Sequence, residues 1–128
     1  MDKCSILIIE DEVGYSELLK KKLWEQGIDV SLVSDGDRAV DQVELISPDL
    51  VVLDIILPGK DGYTILEELR KNESTKDQKI VILSNLDENS KSARALKELD
   101  VLDYIIKTDI SLRDMVKKIQ KYCEKDME

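Results

Sequence analysis

Apolar positions along this chain follow two rhythms. Short runs of four or five residues, Ser5–Ile9, Asp29–Val33, Leu50–Leu53, Lys79–Leu83 and Asp103–Ile106, alternate with longer stretches whose apolar residues recur three or four positions apart. The first rhythm predicts strands and the second amphipathic helices. Leu18, Leu19 and Leu23 mark a first helix, which Gly27 closes by offering a left-handed stop. Gly36 leads into a second helix carrying Ala39, Val40 and Val43, and Pro48 bars it from running on. A third follows Gly62 with Ile65, Leu66 and Leu69, and the polar stretch Lys71–Gln78 returns the chain to the fourth strand. A fourth, charged on its outer side, begins near Asp87 or Ser90 and carries Ala95, Leu96 and Leu99. The last has Leu112, Met115, Val116, Ile119 and Cys123 on one face, preceded by Ser111 and Asp114 at the spacing of a capping box.

Five strand–helix units of this size predict an α/β fold, a doubly wound five-stranded parallel sheet with five helices and right-handed crossovers. Leu50, Val51, Val52 and Leu53 are consecutive and uncharged, which suits a strand buried on both faces. The run stops on Asp54, and Pro58, Gly59 and Gly62 then demand a loop. Asp54 therefore lies at the carboxyl edge of the sheet, where open α/β folds bind ligands. No internal repeat, linker or low-complexity segment interrupts the 128 residues, so a single domain over residues 1–128 is expected.

Composition narrows the function. Hydrophobic residues make up 42% and charged ones 37%, as in soluble globular proteins. The apolar runs are far too short for a membrane span, and residues 1–5 lack a signal-peptide pattern, so a cytoplasmic setting without membrane attachment is expected. A net charge of -9 disfavours direct nucleic-acid binding and favours cations or proteins as partners. Cys4 and Cys123 show no metal-site spacing and are expected to be buried core fillers with free thiols. The chain contains no histidine, which rules out acid–base chemistry by an imidazole of its own. The run Lys20–Lys22 reads as a solvated helix face beside a partly exposed Trp24.

Polar groups close the strands at suggestive places: Glu10 and Asp11 after the first, Asp54 after the third, Ser84 after the fourth and Lys107 after the fifth. In a sheet of order 2-1-3-4-5 the first and third strands are neighbours, so Glu10, Asp11 and Asp54 converge. Carboxylates crowded in this way repel one another and call for a cation; Mg²⁺, hard and oxygen-loving, is the natural one. A carboxylate so placed can also attack phosphorus, with a metal and a lysine neutralising the phosphoryl oxygens. Singly, Asp54 reads as readily as a strand-end cap, Ser84 as a turn hydroxyl, Tyr104 as a half-buried strand aromatic and Lys107 as a salt-bridge partner. Jointly, a buried acid cluster without a cation would carry a large desolvation cost.

With the acidic pair Glu10-Asp11, the approach PDLVVLD to Asp54, the LPGKDG that follows, Ser84 and the DYIIK ending in Lys107, the stretch from Lys3 to about Tyr122 resembles a response-regulator receiver domain of two-component signalling, of the chemotaxis-regulator type with a flavodoxin-like fold. The resemblance implies a signalling domain rather than an enzyme, with slow Mg²⁺-dependent self-phosphorylation and self-dephosphorylation. It makes Asp54 the phosphoacceptor, and Glu10, Asp11, Asp54 and the backbone carbonyl of Ile56 the Mg²⁺ ligands. Ser84 and Lys107 would contact the phosphoryl oxygens, and Ser84 with Tyr104 would switch the face built from the fourth helix, fifth strand and fifth helix. Its partners would be a sensor histidine kinase or histidine phosphotransfer protein and a downstream output protein or domain, with room for a phosphorylation-linked dimer.

The chain departs from the family pattern at five places. Thr108 replaces the usual proline after the lysine, so no cis peptide is expected there. Asp100-Val101 replaces Gly-Ala, where Asp can still adopt the left-handed conformation. Asn85, larger than usual, narrows access to the phosphoryl group, and the apolar Ile56 and Leu86 predict slow phosphoryl loss. Stand-alone regulator, phosphorelay intermediate and receiver portion of a larger transcriptional regulator all remain open, as does a phosphorylation-independent pseudo-receiver. An aspartyl phosphatase is disfavoured, because Ile56 stands where a second catalytic acid would be needed.

Overall fold

The computed structural model of the chain describes residues 3–85, 94, 96 and 98–126. Strands β1 (Ser5–Ile9), β2 (Asp29–Val33), β3 (Leu50–Leu53), β4 (Ile80–Ser84) and β5 (Asp103–Ile106) form one sheet in the order β2-β1-β3-β4-β5. Every pairing is parallel, with Ile9 opposite both Val33 and Leu53. The helices are α1 (Val13–Glu25), α2 (Ala39–Ile46), α3 (Gly62–Lys71) and a C-terminal helix (Leu112–Asp126). The predicted fourth helix falls mostly outside the described residues; Arg94 and Leu96 are helical there, and Leu96 is buried.

Two apolar layers enclose the sheet, and strand alternation sorts the residues between them. Ile6, Ile8, Leu50, Val52, Val81, Leu83 and Ile105 pack with Leu19 and Leu23 of α1 and with Met115 and Ile119 of the C-terminal helix. Their sequence neighbours Leu7, Ile9, Val51, Leu53, Ile80, Ile82 and Tyr104 pack on the other face with Val43 of α2 and with Ile65, Leu66 and Leu69 of α3. Leu18 departs from expectation: it is 45% exposed, while the buried stripe of α1 runs through Ser16, Leu19 and Leu23. One residue is about 100° of rotation on a helix, and that turn carries Leu18 off the edge of the stripe that holds Leu19 and Leu23.

Local chemistry sets the element ends. Gly27 closes α1 at φ 82°, Ser47 ends α2 in the left-handed region at φ 49°, and Asp61 caps α3 by accepting from Thr64 N–H at 2.8 Å. The N–H of Asp114 donates to Ser111 Oγ at 3.1 Å, as the capping spacing foretells. Asp100 takes the left-handed conformation anticipated for it, at φ 62°.

The cysteines correct an expectation. Cys4 and Cys123 are indeed buried, but they are joined in a disulfide, with Cα atoms 5.9 Å apart across 119 residues of sequence. The start of β1 and the end of the C-terminal helix belong to one apolar layer, so two cysteines filling that space also meet.

Arg70, on α3, gathers four backbone carbonyls: Leu99 at 2.8 Å, Lys76 at 3.0 Å, Gln78 at 2.8 Å and Asp100 at 3.0 Å. A planar guanidinium with five donors can serve both connections flanking β4 at once, which an ammonium cannot. Arg70→Met is expected to lower unfolding stability by about 2–3 kcal/mol, with Arg70→Lys recovering less than half of it. Urea denaturation measures both, and a Lys variant as stable as the parent would refute the fork argument.

Candidate functional site

The carboxyl ends of β1, β3, β4 and β5 meet around a small cavity of about 190 Å³ lined by Asp11, Glu12, Asp54, Ile56, Ser84, Asn85 and Lys107. Alternation explains the meeting. Glu10 follows Ile6 and Ile8, Asp54 follows Leu50 and Val52, and Lys107 follows Ile105, so all three continue the strand parity of the α1 face. The backbone pins two of them at matching heights: Asp54 N–H donates to Ile9 at 2.9 Å and Glu10 N–H to Val33 at 3.0 Å. Ser84 ends β4 opposite Ile106 and is fully buried.

The loop after Asp54 is tied down as tightly as the strand. Gly62 N–H donates to the Ile55 carbonyl at 2.7 Å, and a Cβ on Gly62 would lie 2.5 Å from the Asp54 carbonyl oxygen. Only glycine permits that approach of α3 to the end of β3. Ile56 N–H returns to Asp54 Oδ1 at 3.2 Å, while its side chain is 60% exposed at the cavity mouth.

Electrostatics single out the cluster. Glu10 is 2% exposed and Asp54 5%. The Lys107 ammonium pairs with Glu10 Oε2, with Glu12 Oε1 at 3.2 Å and with Asp54 Oδ2 at 3.4 Å. Its side chain is only 6% exposed. Burial pushes the Glu10 carboxyl up to about 7, with Asp54 adding to the rise and hydrogen bonds from Lys107 and the Glu12 backbone opposing it. For Lys107 burial works against charge, but Glu10, Asp54 and Glu12 outweigh it and raise its pKa well above the usual lysine range.

Glu10, Asp11 and Asp54 each offer a ligand oxygen within 4.8 Å of the others. Glu10 Oε2 is buried against the Lys107 ammonium, and Oε1 accepts from the Glu12 N–H at 3.0 Å. Hard carboxylate oxygens at this spacing fit Mg²⁺ better than a softer ion. Asp11 is the exposed member, on the side open to water that such an ion retains.

The sequence-predicted residues among those described have definite places. Glu10, Asp11, Asp54, Ile56, Ser84 and Lys107 come together at this edge. Tyr104 instead points into the opposite apolar layer and is 8% exposed. No described peptide bond is cis, including Lys107–Thr108, and Lys107 opens a short 3₁₀ turn through Asp109. Leu86 lies outside the described residues. Two neighbours of Lys107 escaped the sequence reading: Glu12, and Tyr15 of α1, whose ring centroid lies 4.9 Å from Lys107 Nζ. Glu12 directly follows the acidic pair, a signal that could have flagged it. A larger hollow of about 520 Å³ lies between α1 and the C-terminal helix, lined by Lys22, Glu25, Arg113 and Val116 among others, away from these groups.

Comparison with known proteins agrees with this architecture. The family model described as response regulator receiver domain matches residues 6–120. The transcriptional activator protein IrlR of Burkholderia pseudomallei is 39% identical over 102 residues, covering 80% of this chain and 43% of that protein. The transcriptional regulatory protein RstA of Escherichia coli is 38% identical over 104 residues, covering 81% and 42%. The chain thus spans less than half the length of these curated relatives. Among solved structures, the BeF3-activated N-terminal receiver domain of Klebsiella pneumoniae RstA superposes with a TM-score of 0.80 at 33% identity, covering 93% of this chain and 97% of that one. A CheY-like receiver domain protein from Methanospirillum hungatei shares the fold at a TM-score of 0.86 and 21% identity, covering 98% of each chain. The chain belongs to the response regulator receiver domain family and is a receiver domain of two-component signalling.

Proposed function

We propose that this receiver is a Mg²⁺-dependent phosphoacceptor switch in which Asp54 takes a phosphoryl group from a phosphohistidine of a sensor kinase or phosphotransfer protein. The observation that carries the reading is the convergence of Glu10, Asp11 and Asp54 with Lys107 at one sheet edge. Glu10, Asp11, Asp54 and the Ile56 carbonyl would hold the cation, which supplies charge neutralisation on the phosphoryl oxygens. An Asp54 carboxylate oxygen attacks phosphorus as the bond from phosphorus to the donor nitrogen breaks. The electron pair leaves on the imidazole, which takes a proton from water. Lys107 offsets negative charge on the transferred group, and the Ser84 hydroxyl donates to one of its oxygens. The chain's lack of histidine is consistent with a donor supplied in trans.

Phosphorylation then shifts an existing equilibrium of the face made by β5, the C-terminal helix and the segment between β4 and β5, with Ser84 and Tyr104 as its movers. Its output is a linked domain or a separate protein, consistent with relatives named as transcriptional regulators. We place the domain in the cytoplasm; no helix among the described residues is long and apolar enough to cross a membrane. The apolar side chain of Ile56 at the cavity mouth supports slow phosphoryl loss, since it cannot orient water.

Incubation with acetyl phosphate and Mg²⁺ followed by intact-mass measurement tests the reading. A gain of one phosphoryl group is expected, absent in Asp54→Asn and after chelation. No gain under conditions that label a known receiver would leave the phosphorylation-independent interaction module as the reading.

A further inference from the structure

We infer that Tyr15 is a positioning residue for Lys107, its ring holding the ammonium at the cavity once a cation claims the carboxylates. This inference rests on the phosphoacceptor reading. Among the described residues Lys107 has four partners: Glu10, Asp54, Glu12 and the Tyr15 ring. Two of them, Glu10 and Asp54, belong to the acidic group suited to a metal ion, so a bound divalent cation competes with Lys107 for the same oxygens. Glu12 is 58% exposed, and an exposed carboxylate attracts an ammonium weakly through water and salt.

The ring differs from all three. It bears no charge, does not ligate Mg²⁺, and is half-buried against the apolar layer shared by α1 and the C-terminal helix. Its attraction for the ammonium therefore survives the arrival of the metal. A lysine has several rotatable bonds, and Lys107 begins a short 3₁₀ turn rather than sitting inside a strand, so its own backbone leaves the Nζ position loosely fixed. Cation–π contact at about 5 Å supplies the missing restraint from α1. The ring thus keeps the charge beside Asp54, where the phosphoryl oxygens arrive.

Four chains, the parent, Tyr15→Leu, Tyr15→Phe and Lys107→Met, and one double variant test this. With saturating Mg²⁺, Tyr15→Leu should slow labelling of Asp54 by acetyl phosphate by about threefold to tenfold, and Tyr15→Phe, which keeps the ring, by less than about twofold. In a Lys107→Met background, Tyr15→Leu should cause no further slowing, because its effect passes through the lysine. A merely structural Tyr15 would instead slow both backgrounds alike, and that result would overturn the inference, as would Tyr15→Phe as slow as Tyr15→Leu. The ring contact also has a readout independent of phosphorylation. The Lys107 ε-methylene protons should resonate upfield from the ring current, stay there when Mg²⁺ is added, and return to ordinary shifts in Tyr15→Leu. If the parent chain takes no label while this signature holds, the phosphoacceptor reading fails and the positioning contact stands. Loss of the upfield shift on adding Mg²⁺ refutes the contact itself.

Discussion

Reducing the Cys4–Cys123 bridge is expected to lower the unfolding free energy by about 2–5 kcal/mol, the range for a cross-link that closes most of a chain. The bridge spans 119 residues, so the oxidised unfolded chain is a near-complete loop with far fewer conformations than the reduced one. Folded-state packing changes little, because both sulfurs stay in the apolar layer of β1, α1 and the C-terminal helix whether or not they are bonded. The loss should therefore appear as a lower urea midpoint for both dithiothreitol-treated protein and a Cys4→Ser, Cys123→Ser variant. The serine variant should fall further, since its hydroxyls are buried where no apolar filler remains. The oxidised protein should be lighter by two hydrogens than the reduced one in intact-mass measurement. Equal midpoints before and after reduction, with thiol labelling confirming that the bond is open, would show that the bridge does not constrain the unfolded chain.

The same bridge shows where sequence reasoning ends. Strand positions were legible because each run is short, mostly apolar and stops on a polar group, and β1, β2, β3 and β5 occupy the predicted spans. The left-handed Asp100 was legible only through the family resemblance, which sets it where glycine is usual, and Asp tolerates that conformation. Leu18 was misplaced because two adjacent leucines both satisfy a helical period and only packing against the sheet chooses Leu19. Cys4 and Cys123 carry no spacing rule; their meeting depends on where the last helix lands on the sheet. The candidate site divides in the same way. Strand ends announced Glu10, Asp11, Asp54, Ser84 and Lys107, whereas Tyr15 lies on a helix 92 positions before the lysine it touches and reads locally as an ordinary aromatic.

Removing one charge from the acidic cluster should have opposite effects on stability and on function. In the metal-free protein Glu10 is raised from its ordinary value of 4.5 to about 7, first by burial and further by Asp54. The folded state therefore binds a proton more tightly than the unfolded one. Stability is greatest below the unfolded value and is lost as pH rises from about 4.5 to 7, by on the order of 3 kcal/mol. Lys107 does not contribute in this window, because it is charged in both states throughout it. Asp103, held below the usual carboxylate range because hydrogen bonds from Tyr122 and Lys118 outweigh its burial, acts at lower pH and with the opposite sign. Asp54→Asn deletes the neighbouring charge that helps to raise Glu10, so the variant should be more stable than the parent at pH 7 without metal and show a shallower pH dependence. Added Mg²⁺ should stabilise the parent at pH 7 and remove most of its slope, yet act weakly on Asp54→Asn, which has lost a ligand charge. Urea titrations at pH 5 and 7, with and without Mg²⁺, measure all four states. A parent whose metal-free stability rises between pH 5 and 7 would mean that the Lys107 ion pair outweighs desolvation at Glu10, and that the cluster is stable without a cation.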